Sequence, residues 1–159
     1  MSVGQESPRR TRRARSKRAE RAPRAAPGQT MRALWAKAQV ASQSAQRLLD
    51  AGDTSGALNR AYYAAFGAAR AALAAVRASL AQSRRHGTIF RRFEKHLVRE
   101  RAFDATLGRG LLSRLGGARQ AADYGLDPTE EVAARAAVAD MRRFLAAVEA
   151  LVTTWGIKQ

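Results

Sequence analysis

The chain has 159 residues, 26% of them charged, with no cysteine, two histidines and a net charge of +16. This length suits a single domain with a modest core. The missing cysteines exclude disulfides, thiolate metal sites and thiol nucleophiles, and they fit a reducing cytosol. His86 and His96 cannot complete a zinc site without carboxylates, so no metal and no cofactor is expected. No run of about 18 uncharged apolar residues is present, and the first thirty residues lack a signal-peptide core, so the expected location is cytoplasmic, away from any membrane.

Residues 1–30 hold nine Arg/Lys against two Glu, a charge of +7, together with three of the four prolines. They offer too little apolar surface to offset the entropy of ordering, so a disordered basic tail is expected. Met31 stands where the helical pattern begins, so a start site assigned upstream of the true one is an alternative account of residues 1–30. Residues 31–159 form the domain; twenty Arg/Lys against eleven Asp/Glu leave them at +9. A basic surface therefore persists without the tail, and such a field attracts polyanions, RNA or DNA first, or an acidic protein.

A first helix is expected over about 31–50, with Ala38, Ala41, Ala45 and Leu48 on one face and Gly52 as its stop. The second begins near Asp53, Thr54 and Ser55 and extends to about residue 81. Its apolar line is Leu58, Tyr62, Phe66, Ala69, Leu73, Val76 and Leu80, a three-and-four spacing that belongs to a helix. Twelve alanines between Ala57 and Ala81 allow neighbouring helices to approach closely. A short third helix is expected over about 87–99. A fourth helical region, interrupted by glycines, lies within 103–124. The last helix starts with Asp127 as cap, Pro128 in its first position and Glu130 at capping-box spacing. It then carries Val138, Met141, Leu145, Val148, Val152 and Trp155 on one seam. No period-two stretch is long enough for a sheet. The expected fold is all-α, an antiparallel up-and-down bundle of four to five helices behind a disordered basic N-terminal tail.

No phosphate loop, His-Glu-x-x-His or Gly-x-Ser-x-Gly sequence is present. Three phrases stand in order instead: Arg60-Ala-Tyr-Tyr-Ala-Ala-Phe66, then His86-Gly87, then Arg119-Gln-Ala-Ala-Asp-Tyr124. Together they resemble the HEPN superfamily, and among its members the bacterial branch with an "AYYAxF" helix and a terminal "RxxADY". The resemblance spans nearly the whole chain outside the tail. It implies an all-α bundle that forms a homodimer, RNA or nucleotide as ligand, and a place in a toxin–antitoxin or similar two-component system with a nucleotidyltransferase partner. Many such proteins are metal-independent ribonucleases whose motif is an Arg followed four to six residues later by a His. The arginine can hold the scissile phosphate and stabilise its added charge, while the histidine moves the proton of the attacking 2′-hydroxyl.

This sequence departs from that motif. Arg119 matches the arginine, but Tyr124 stands where the histidine is expected, with Asp123 beside it. A phenol of pKa about 10 and a carboxyl of about 3.9 are both poor bases at neutral pH. Arg119, Asp123 and Tyr124 are thus the candidate site, with His86 as a candidate base from another helix. An Arg119–Asp123 ion pair at i, i+4 is the plainer account. Tyr62 and Phe66 read as core; Tyr63, about 100° round the helix, reads as a site or dimer contact. Arg60 is either a surface charge or a phosphate ligand. Arg92, Lys95 and Arg99 share a helical stripe and are candidate nucleic-acid contacts, against the alternative of a solvated charged face. His96 reads as surface. Three functions follow: RNA or nucleotide binding, a non-catalytic module that docks a partner protein, and an active ribonuclease with a non-standard base.

Overall fold

The computed structural model describes residues 27–125 and 130–154; among these residues there are five α-helices and no strand. Of the tail expected at residues 1–30, residues 27–30 form the first turn of a helix, while residues 1–26, the cap expected at Asp127 and Pro128, and Trp155 lie outside the described residues.

Helix α1 (Pro27–Asp50) begins before the expected Met31, with a proline in its first position, where the missing N–H costs nothing. Its end is closed by Gly52 in the left-handed region (φ 80°). The Asp53 amide donates to the Leu48 carbonyl at 2.9 Å and the Gly52 amide to Leu49 at 3.0 Å, so two carbonyls of the last turn are satisfied. Asp53 then caps α2 (Thr54–Val76), its carboxylate accepting from the Gly56 amide at 2.8 Å.

Helix α2 is the axis of the bundle. Thirteen of its residues are buried, nine of them alanine, and it packs against α1, α4 and α5. A Cβ added to Gly67 would meet the Ala38 Cβ at 3.2 Å, which shows how closely α1 and α2 approach. The three-residue link between α1 and α2, the descending pairs Asn59–Asp123 and Tyr62–Arg119, and the groove that Met31 and Trp35 share with Glu149 and Val152 of the last helix set the directions. Helices α1, α2, α4 and α5 run up, down, up and down, with α3 in the connection between α2 and α4.

Helix α2 stops at Val76, short of the expected residue 81. Arg77 is extended (φ −163°), and Ala78–Ala81 form a single 3-10 turn. The turn leaves carbonyls without helical partners, and two arginines supply donors. Arg70 Nε donates to Ala81 at 3.0 Å and Arg92 Nη1 to Leu80 at 2.7 Å.

Helix α3 (His86–Phe93) continues as a π-helical stretch, Glu94–Arg99, and a second one, Thr106–Gly110, leads into α4 (Leu111–Tyr124). Between them Ala102 takes a positive φ of 54°, and the Phe103 amide reaches back to the Leu97 carbonyl at 3.0 Å. Gly108 packs so closely that a Cβ would lie 2.8 Å from Val98 Cγ2. Beneath this corner the rings of Phe93, Phe103 and Phe144 meet at centroid distances of 5.1, 5.5 and 5.8 Å. The last of these rings comes from α5 (Glu131–Thr154), whose Val138, Met141, Leu145 and Val148 are buried as the seam requires.

Candidate functional site

Residues Asn59, Tyr62, Tyr63 and Phe66 are spaced by three, one and three, so they share one side of α2. Antiparallel α4 brings its last turns opposite them, Arg119 beside the two tyrosines and Asp123 beside Asn59. The 3-10 turn after α2 reverses the chain. The Ser83 hydroxyl then accepts from the Arg85 amide at 3.1 Å, and extended Arg85 sets His86 as the first residue of α3. Three elements thereby converge on one cluster.

Its centre is Tyr62, only 2% exposed. The Tyr62 hydroxyl and His86 Nδ1 form a short hydrogen bond. The imidazole leans on Phe66 at a centroid distance of 4.4 Å and meets the Tyr62 and Tyr63 rings at 5.3 and 6.3 Å. The Arg119 guanidinium lies 5.6 Å from the Tyr62 ring centre and 5.5 Å from that of Tyr63, within cation–π range of both. Arg119 Nη2 pairs with Asp123 at 2.8 Å, both side chains about one-quarter exposed. Asp123 also accepts from Asn59 Nδ2 at 3.3 Å. The buried Arg119 Nε has no hydrogen-bond partner among the described residues.

Burial in this apolar setting pushes the Tyr62 hydroxyl up to about 12, a rise that the Arg119 charge opposes. Burial also lowers His86 below the ordinary imidazole value, and the Arg119 charge adds to that effect. Near neutral pH both groups are therefore uncharged, and Arg119 is the cation of the cluster. A guanidinium laid over aromatic rings, with N–H groups left over after its ion pair, can take a phosphate oxygen.

The structure brings together Arg119, Asp123, His86 and Tyr63, the last 37% exposed. It does not bring Tyr124 to them; that ring is 77% exposed. Arg60 faces a shallow groove against α1, beside Lys37, Val40 and Ser44. The expected stripe of Arg92, Lys95 and Arg99 is not continuous. Arg92 turns inward to Leu80, Arg99 pairs with Glu94 at 3.3 Å, and only Lys95 and Arg99 reach the shallow groove beside Phe90. The stripe presumes 3.6 residues per turn, whereas Glu94–Arg99 is wound as a π-helix. His96 pairs with Glu100 at 3.0 Å on the surface.

Asn59 was not among the expected site residues. Its spacing of three and four from Tyr62 and Tyr63 was the available signal, and the missing piece was the antiparallel pairing with Asp123. Arg70, fixed on Ala81 and 5.8 Å from the Phe66 ring centre, likewise carries no motif. Among the described residues no group of three or more His, Asp or Glu could hold a metal ion, and no helix is long and apolar enough to cross a membrane. A family model described as HEPN domain matches residues 31–151. No curated protein matches the chain.

Proposed function

The chain belongs to the HEPN domain family, and on this footing we propose that it binds RNA or a nucleotide, with Arg119 taking a phosphate at the cluster of Tyr62, Tyr63, His86 and Asp123. The observation that supports the reading best is the Arg119 guanidinium itself. It is stacked over two aromatic rings and only partly engaged by Asp123, in a molecule of net charge +16. Asp123 and Asn59 orient the guanidinium, and the partly exposed Tyr63 ring offers a face to a base. Lys95 and Arg99 serve as outer contacts in this reading, Arg60 as a more distant one, and Arg92 as a strut for the turn after α2.

The reading extends to a homodimer and a nucleotidyltransferase partner in a toxin–antitoxin or similar pair, both taken from the family. Tyr124 in place of the motif histidine, and the exposure of its ring to solvent, favour binding over cleavage. The test is fluorescence anisotropy with a single-stranded RNA oligonucleotide in chelator, alongside gel analysis of the same RNA. Arg119→Ala is expected to weaken binding about tenfold, near 1.4 kcal/mol, with the helical circular dichroism unchanged. Equal affinity in the variant rejects the site. Robust metal-free cleavage that Arg119→Ala abolishes makes the protein a ribonuclease instead.

A further inference from the structure

The hydrogen bond between Tyr62 and His86 carries information about where the imidazole proton sits. The Tyr62 side chain is buried, and His86 Nδ1 is its one hydrogen-bond partner among the described residues. If Nδ1 carried a proton and donated it to the phenol oxygen, the hydroxyl's own proton would be left inside the bundle without an acceptor, which is a costly arrangement. The same cost arises if the imidazole is doubly protonated, and the neighbouring Arg119 charge would add repulsion. Only the arrangement in which the phenol donates and Nδ1 accepts satisfies both groups. Phe66, Tyr62 and Tyr63 surround the ring and fix its orientation. Nε2 has no partner among the described residues and is not among their buried unsatisfied atoms.

We infer that Tyr62 is the positioning residue of the cluster: its hydroxyl donates to Nδ1, keeps the imidazole proton on Nε2, and makes His86 a neutral hydrogen-bond donor beside Arg119, not a base. Tyr62 touches no ligand in this scheme and acts through His86. The partner this pair recognises is an oxygen acceptor, a phosphate or sugar oxygen of RNA or a nucleotide, held by Arg119 as a charge and by His86 Nε2–H as a directional donor. The inference deepens the phosphate-binding reading above, but its first test is independent of any ligand.

That test is long-range nitrogen–proton correlation NMR of the full chain labelled with nitrogen-15, free of RNA, at neutral pH. There are two histidines, so His96→Gln assigns the His86 signals. The expected pattern is a neutral imidazole protonated on Nε2 in the wild type. In Tyr62→Phe, which keeps the ring and removes the donor, it should give way to exchange between tautomers. An Nδ1-protonated ring or an imidazolium in the wild type overturns the inference, as does an unaltered tautomer in a folded Tyr62→Phe. If that variant does not fold, scalar coupling between the Tyr62 hydroxyl proton and His86 Nδ1 in the wild type decides instead, and its absence overturns the inference. The second arm measures affinity for a single-stranded RNA oligonucleotide. His86→Gln, whose amide places an N–H near the position of Nε2, should bind within about threefold of wild type, while His86→Leu should lose about tenfold. Equal loss in both overturns the donor role. Unchanged affinity in Arg119→Ala rejects the phosphate site and leaves the tautomer result standing.

Discussion

Burial at the junction of α2 and α3 acts on two titratable groups, a phenol pushed up to about 12 at Tyr62 and an imidazole lowered at His86. The lowered value ties His86 to stability. The unfolded chain takes up a proton at His86 as pH falls through about 6.5, while the folded protein resists, so stability present above that value is lost on acidification. The thermal midpoint is therefore expected to drop as pH falls from about 7 into the range below about 6.5, and His86→Gln should remove part of the drop. A midpoint with the same pH dependence in both proteins counts against the burial of His86. Glu100 and Asp104, whose carboxyls hydrogen bonds to His96 and Thr106 hold below their usual range, lose their contributions in a more acidic window. At this scale much of the candidate site was legible. Arg119, Asp123, His86 and Tyr63 stand in phrases that mark them out, while Asn59 and the inward turn of Arg92 depend on contacts across 64 and 12 residues that local spacing does not encode.

Among the elements, the long three-and-four seams of α1, α2 and α5 were readable because an amphipathic helix must repeat its apolar residues every turn. The corner between α3 and α4 was not, since two π-helical stretches and a left-handed alanine have no such repeat. That corner makes opposite demands at two positions. Ala102 sits at φ 54°, where an L-residue pays roughly 1–2 kcal/mol, against a greater unfolded-state freedom of glycine worth roughly 0.5–1 kcal/mol. Ala102→Gly should thus stabilise the protein by about 0.5–1 kcal/mol. Gly108→Ala drives a methyl to 2.8 Å from Val98 and 3.4 Å from Phe93, so it should destabilise by about 1–3 kcal/mol. Urea denaturation of both variants checks the pair, and equal signs would show that the corner packs otherwise. The early end of α2 has a similar origin, because the carbonyls of the 3-10 turn rely on Arg70 and Arg92, side chains that a periodicity argument assigns to solvent.

For the whole molecule, net charge was the most legible property and governs how it should meet a polyanion. With +16 on 159 residues, RNA affinity should fall steeply with salt as bound counterions are released. Deleting residues 1–26 from the full chain should flatten the slope of log affinity against log salt if the tail supplies phosphate contacts, and leave it unchanged if Lys95, Arg99 and Arg119 supply them. Either slope is read directly from anisotropy titrations at several salt concentrations. The alanine content of α2 has a thermal consequence. Each of its nine buried alanines adds little apolar area to the core, although each also forfeits almost no side-chain entropy on ordering. Heat-capacity change on unfolding follows the apolar area newly wetted. Calorimetry should accordingly find a value below the usual ~12–15 cal/mol/K per residue, and with it a shallow stability curve that changes little between cold and warm conditions.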